Sequence, residues 1–118
     1  MIFIIDDDEI MSECIASAIS KHEVKLFGNA IEAMNVISEG DIPEMIFLDI
    51  LLTGPNGFTF LNELVSYDDT SKIPIVVVTS LDLARTDLSD YGVVGILEKE
   101  TMTPKDIREY VEKYAEGH

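Results

Sequence analysis

Five short apolar runs, four of them without polar alternation, constrain this chain more than any other feature. Ile2-Phe3-Ile4-Ile5, Met45-Ile46-Phe47-Leu48, Ile75-Val76-Val77-Val78 and Val93-Val94-Gly95-Ile96-Leu97 are apolar on successive residues. Successive strand side chains point to opposite faces, so such runs suit strands covered on both faces, as in a parallel sheet between helices. A fifth run, Val24-Lys25-Leu26-Phe27, alternates and suits a sheet edge.

Between the runs the period changes to that of a helix. Ile10, Met11, Cys14, Ile15, Ala18 and Ile19 form one predicted stripe; Ala30, Ala33, Met34 and Ile37 form the next, behind Asn29 as cap. Phe58, Leu61, Leu64 and Val65 mark a third helix, and residues 81–91 a short or irregular one. The last opens on Thr103 as cap with Pro104 at its first position, then places Ile107, Tyr110, Val111 and Tyr114 inward. Strand and helix alternate, and right-handed crossovers then make every strand parallel. The expected fold class is a three-layer, doubly wound α/β domain, and 118 residues leave room for one domain, taken as residues 1–118.

Charge and cysteine content narrow the function classes. With 23 acidic and 8 basic residues the net charge is −15, which repels phosphate backbones and anionic membranes; direct nucleic-acid or membrane binding is not expected. The single cysteine, Cys14, excludes an internal disulfide and is expected to be a packed thiol. No apolar run approaches the ~20 residues that cross a bilayer, and the opening Met1-Ile2-Phe3 lacks the basic start of a signal peptide, so a cytoplasmic location is the expectation.

Ligands of doubly wound sheets bind along the carboxyl ends of the strands. Asp6, Asp7 and Asp8 end the first run, Asp49 the third, Thr79 and Ser80 the fourth, and Glu98-Lys99-Glu100 the fifth. Carboxylates converging there without an arginine cluster suit a hard divalent cation, and oxygen ligands with retained water suit Mg²⁺. A carboxylate can also attack phosphorus if a metal and an ammonium draw charge from the phosphoryl oxygens. Each residue has a plainer reading alone: Asp8 as a helix cap, Thr79 as a turn residue. The conjunction at four strand ends favours the chemistry.

The pattern resembles the receiver domain of two-component response regulators over nearly the whole chain. Ile4-Ile5-Asp6-Asp7-Asp8 resembles its acidic opening, Pro43-Glu44-Met45-Ile46-Phe47-Leu48-Asp49 its run into the phosphoacceptor, with Gly57 eight residues on, and Ile73-Pro74-Ile75-Val76-Val77-Val78-Thr79-Ser80 and Lys99 its later motifs. The resemblance implies strand order 2-1-3-4-5. It further implies Mg²⁺ held by Asp6, Asp7, Asp49 and the Leu51 carbonyl, with Asp49 phosphorylated by a sensor histidine kinase or a His-containing phosphotransfer protein. Thr79 and Lys99 would contact the phosphoryl oxygens, and the product is a signalling switch rather than an enzyme.

Four positions depart from the family. Thr53 and Glu100 stand where proline is usual, Ile96 where the switch aromatic is usual, and the Thr79–Lys99 interval is shorter. A non-proline cis bond costs ~3–4 kcal/mol, so a trans Lys99–Glu100 bond is expected. Leu51 and Leu81 flank the path of attacking water in receivers; unable to orient it, they imply slow self-dephosphorylation. Two alternatives remain: a haloacid dehalogenase-like phosphohydrolase using Asp6-x-Asp8, and a receiver-fold adaptor that takes no phosphate.

Overall fold

The computed structural model describes residues 1–19, 21–50, 57–80 and 88–115. Along the chain these form β1 (Ile2–Ile5), α1 (Glu9–Ser17), β2 (Val24–Phe27), α2 (Ala30–Ser38), β3 (Met45–Asp49), α3 (Gly57–Val65), β4 (Ile75–Thr79), a 3-10 turn (Ser89–Tyr91), β5 (Val93–Glu98) and α4 (Pro104–Tyr114). The five strands make one sheet in the order β2-β1-β3-β4-β5, with every pairing parallel. Of the segment expected to be irregular, residues 81–87 lie outside the described residues; its end is the 3-10 turn.

The absence of alternation has the cause expected of it. Phe3, Ile5, Ile46, Leu48, Ile75 and Val77 pack against Ala33, Ile37, Leu61 and Leu64 of α2 and α3. Ile2, Ile4, Met45, Phe47, Val76 and Val78 pack on the other face against Ile15, Ile107 and Val111 of α1 and α4. Burying each of these side chains contributes roughly 1.5–3 kcal/mol, so the three central strands are the largest apolar store in the fold. The alternating run takes the edge as β2, where Leu26 stays 47% exposed.

Local chemistry sets the helix starts. Asn29 Oδ1 accepts from Glu32 N at 2.9 Å. Thr103 and Asp106 cap α4 reciprocally, Asp106 N donating to Thr103 Oγ1 at 3.2 Å and Thr103 N to Asp106 Oδ2 at 2.9 Å, with Pro104 at the first turn.

Two helix faces differ from the predicted stripes. In α1 the buried positions are Ser12 and Ile15, whereas Cys14 is exposed and Ile10 is 81% exposed. Consecutive helix residues are rotated about 100°, and Asp8 as cap orients the first turn so that positions 12, 15 and 19 face the sheet. Two residues of the expected stripe, Ile10 and Cys14, thus face water, and the sheet-facing side includes Ser12, whose hydroxyl is satisfied by the Asp6 carbonyl at 3.4 Å. In α3, Phe60 is buried with Leu61 and Leu64, while Val65 is half-buried.

Two glycines are demanded by packing. Gly92 has φ +79° after the 3-10 turn, and a Cβ there would approach the Ile73 carbonyl at 3.2 Å. Gly95 lies in β5 just past a register irregularity opposite Ile75/Val76, and the Tyr110 ring of α4 occupies the space its side chain would take. Gly95→Ala is therefore expected to lower stability by about 1–3 kcal/mol in denaturant unfolding, and Tyr110→Ala in the same chain to remove most of that additional cost; additive losses would show that the ring is not the obstacle.

Candidate functional site

The register brings four strand ends together. Ile5 of β1 pairs with Leu48 of β3, so Asp6 and Asp49 follow side by side on adjacent central strands. Asp49 pairs with Val78 of β4, which puts Thr79 one step beyond it, and Thr79 pairs with Glu98 of β5, which puts Lys99 next. The Lys99 amide donates to the Thr79 carbonyl at 2.9 Å, extending the ladder to the lysine.

Lys99 then reaches back across β4. Its Nζ lies 3.1 Å from Asp49 Oδ2, to which it donates a hydrogen bond, and 3.2 Å from Asp6 Oδ2. Asp6, Asp49 and Thr79 are 3%, 4% and 0% exposed, while Asp7 is exposed. The Lys99–Glu100 peptide is trans, as expected, and the ammonium still reaches both carboxylates. Asp8 takes its plainer role: its carboxylate accepts from Ile10 N at 3.0 Å and Met11 N at 3.3 Å as the α1 cap, and its own amide donates to Asp6 Oδ1 at 2.9 Å.

Oxygens of Asp6, Asp7 and Asp49 come within 4.8 Å of one another. A Mg²⁺ ion binds oxygen at about 2.0–2.1 Å and usually keeps several waters, so one ion can join such a group directly through some of these oxygens and through water to the rest. Asp6 Oδ2 is buried and, although in ion-pair range of Lys99, receives no aligned hydrogen bond. A buried carboxylate oxygen in that condition is costly unless a cation completes it, and the exposed Asp7 leaves the group open to water ligands. The donor set therefore fits Mg²⁺. Leu51, expected to add its carbonyl, and Thr53 and Leu81 lie outside the described residues.

Burial holds the Asp6 carboxyl above its ordinary range; the Asp8 amide opposes this, the Asp49 charge adds to it, and Lys99 opposes it. Lys99 is lifted above the ordinary lysine range although burial works against its charge, because Asp49 accepts its hydrogen bond and both carboxylates attract it.

The response regulator receiver domain family model matches residues 2–112. This chain belongs to that family. Among its relatives, the response regulator PleD of Caulobacter vibrioides is 40% identical over 42 residues, which is 36% of this receiver but only 9% of PleD. The receiver domain of NtrX from Brucella abortus superposes with a TM-score of 0.84 at 23% identity, covering 100% of both chains. The receiver domain of the sensor histidine kinase PA1611 from Pseudomonas aeruginosa, solved with a magnesium ion in its active-site cleft, gives 0.76 at 18% identity over 96% of this receiver and 94% of that chain.

The structure thus brings Asp6, Asp7, Asp49 and Lys99 into one group, with Thr79 on the neighbouring strand end. Ser12 was missed as a neighbour of the site, since a serine inside an apolar stripe looks like an interruption until its hydroxyl is seen on Asp6. A raised carboxyl pKa means that the folded state holds its proton more tightly. The Asp6 contribution to stability is present below the unfolded value of 3.8 and lost as pH rises through its folded value. The Lys99 contribution persists across neutral pH and is lost only above the ordinary lysine range of 10.5. In metal-free buffer Asp6→Asn is expected to raise the urea midpoint at about pH 7, with the gain fading toward about pH 3; a loss of stability at neutral pH would show that the Asp6–Lys99 attraction outweighs burial.

Proposed function

We propose that this receiver takes a phosphoryl group onto Asp49 from a sensor histidine kinase or a His-containing phosphotransfer protein, in a Mg²⁺-dependent reaction, and thereby changes its affinity for a protein target. The observation that carries the reading is the buried Asp49 carboxylate, held by the Lys99 ammonium beside Asp6 and Asp7. Residues 1–118 are read as one receiver domain, in the cytoplasm. Described residues include no helix long and apolar enough to cross a membrane.

Asp6, Asp7, Asp49 and the Leu51 carbonyl would hold the Mg²⁺, as the magnesium in the PA1611 receiver supports. When bound, the ion draws charge from the phosphoryl oxygens. An Asp49 oxygen attacks phosphorus; the new O–P bond forms as the bond to the donor imidazole nitrogen breaks, and the nitrogen keeps that electron pair. Lys99 passes from Asp49 Oδ2 to a phosphoryl oxygen, and the Thr79 hydroxyl donates to another, which changes the conformation of the β4 and β5 ends. Ile96, having no hydroxyl, takes no part as a hydrogen-bonding switch. The chain would catalyse only its own aspartyl phosphorylation and dephosphorylation, which makes it a signalling phosphoacceptor and not an enzyme.

The phosphohydrolase alternative is disfavoured by Asp8, whose carboxylate caps α1 instead of joining the acidic group. Incubation with acetyl phosphate and Mg²⁺ should add one phosphoryl group, mapped by mass spectrometry to Asp49, with none in Asp49→Asn or in excess chelator. Lys99→Ala should still be phosphorylated, more slowly, and fail to show the accompanying shifts in backbone amide resonances of β4 and β5. Label on Asp6 or Asp8, or labelling indifferent to chelator, would defeat the reading.

A further inference from the structure

Charge is segregated along this sequence in a way the phosphoacceptor site does not use. Between Lys25 and Lys72 there is no Lys, Arg or His. That block supplies both α2 and α3, which pack side by side on one face of the sheet with Ala33, Ile37, Leu61 and Leu64 in the same core. The charges on and just after the two helices are Glu32, Glu39, Asp41, Glu63, Asp68 and Asp69, all of one sign.

A groove runs between these helices. One cavity of 190 Å³ lies over Ile31, Met34 and Phe60, and a second of 390 Å³ over Met34, Ile37 and Tyr67; Met34 and Glu63 line both, so the two adjoin. The floor is apolar. Ile31 at one end is 54% exposed and Tyr67 at the other 60%, two of the large apolar side chains that the described surface leaves in water. Glu63 stands exposed at the wall common to both cavities, and Asp69 lines the second.

An apolar trough with acidic walls and no basic side chain among its described lining residues selects its occupant by charge. We infer that the α2–α3 groove docks a cationic amphipathic helix of another protein, its apolar residues seated over Met34 and Phe60 and its Lys or Arg side chains against Glu63 and Asp69. The reasoning is that of helix-in-groove recognition, where apolar anchors supply affinity and complementary charge supplies rate and register. A second copy of this chain is a poor occupant: its net charge of −15 opposes association, and α4, the helix carrying Lys105, Arg108 and Lys113, already buries its apolar residues Ile107 and Val111. A larger groove of 530 Å³ between β5 and α4 has walls of mixed sign, with Lys113 among Glu98, Asp106 and Glu109, and so lacks this selectivity. The inference does not depend on phosphoryl transfer.

The test uses the whole chain and a synthetic peptide helix of about four turns, with Leu on one face and Lys on the other, beside a matched peptide with Glu for Lys. Titration of the Lys peptide is expected to give saturable amide shifts at residues 30–38 and 59–70, and the Glu peptide none. Glu63→Lys, at an exposed position that leaves the core untouched, should weaken binding about tenfold or more, Glu63→Gln by less, and Lys113→Glu in the other groove not at all. No binding, shifts confined to β5 and α4, equal binding of the Glu peptide, or affinity indifferent to Glu63→Lys would each overturn the inference. So would a dimer in sedimentation that Glu63→Lys disrupts, since the occupant would then be a second copy.

Discussion

Two carboxylates buried side by side at the end of a sheet set the terms for the rest of this molecule. Asp6 and Asp49 end neighbouring central strands and are almost fully withdrawn from water. Like charges repel most strongly where water cannot screen them, so such a pair calls for a cation beside it. Lys99 is that cation, 3.1 Å from one and 3.2 Å from the other. Because the lysine is anchored to the ladder through its own amide on the Thr79 carbonyl, the pairing links the end of β5 to β1 and β3 across the intervening strand. Any added positive charge among Asp6, Asp7 and Asp49 competes with this ammonium for the carboxylates, and any new anion at Asp49 competes with them for the ammonium.

The sheet makes such an arrangement affordable. Strands with apolar residues on both faces anchor the acidic ends on a rigid base, and the burial of β1, β3 and β4 supplies far more free energy than the confinement of the carboxylates costs. The edges are built differently. β2 is short and half-exposed, and β5 carries a register irregularity and a glycine that admits Tyr110. Glu100 in place of the usual proline leaves a trans bond, yet the lysine reaches its partners, so reach of the long side chain compensates for the changed backbone.

The sequence reading failed in informative places. Cys14 looked packed because it falls three residues after Met11, but the orientation of α1 about its axis is set by the Asp8 cap and by the fit of Ile15 into the sheet, and neither is visible in a list of apolar positions. Ser12 was passed over for the same reason in reverse. Phe60, absent from the apolar spacing read for α3, is buried in the core, and the side chain of Phe58, which that spacing placed inward, lies outside the described ones. Asp8, by contrast, takes the cap role read for it from the sequence, accepting hydrogen bonds from Ile10 and Met11.

What the sequence determined by itself is whatever depends on a few neighbouring residues. Non-alternating apolar runs dictate strands covered on both faces, Asn29 and the Thr103-Pro104 pair dictate helix starts, and the placement of acids, Thr79 and Lys99 at run ends dictates that charge collects on one edge. Only the tertiary structure decided which charges meet. Lys99 and Asp49 are fifty residues apart, and their contact depends on strand register, on the direction of each side chain at its strand end and on the reach of the lysine across β4. The same holds for Tyr110 over Gly95 and for the groove between α2 and α3. Those features arise from the packing of separate elements, and packing is fixed by shape complementarity summed over the whole core, which no local stretch of the chain encodes.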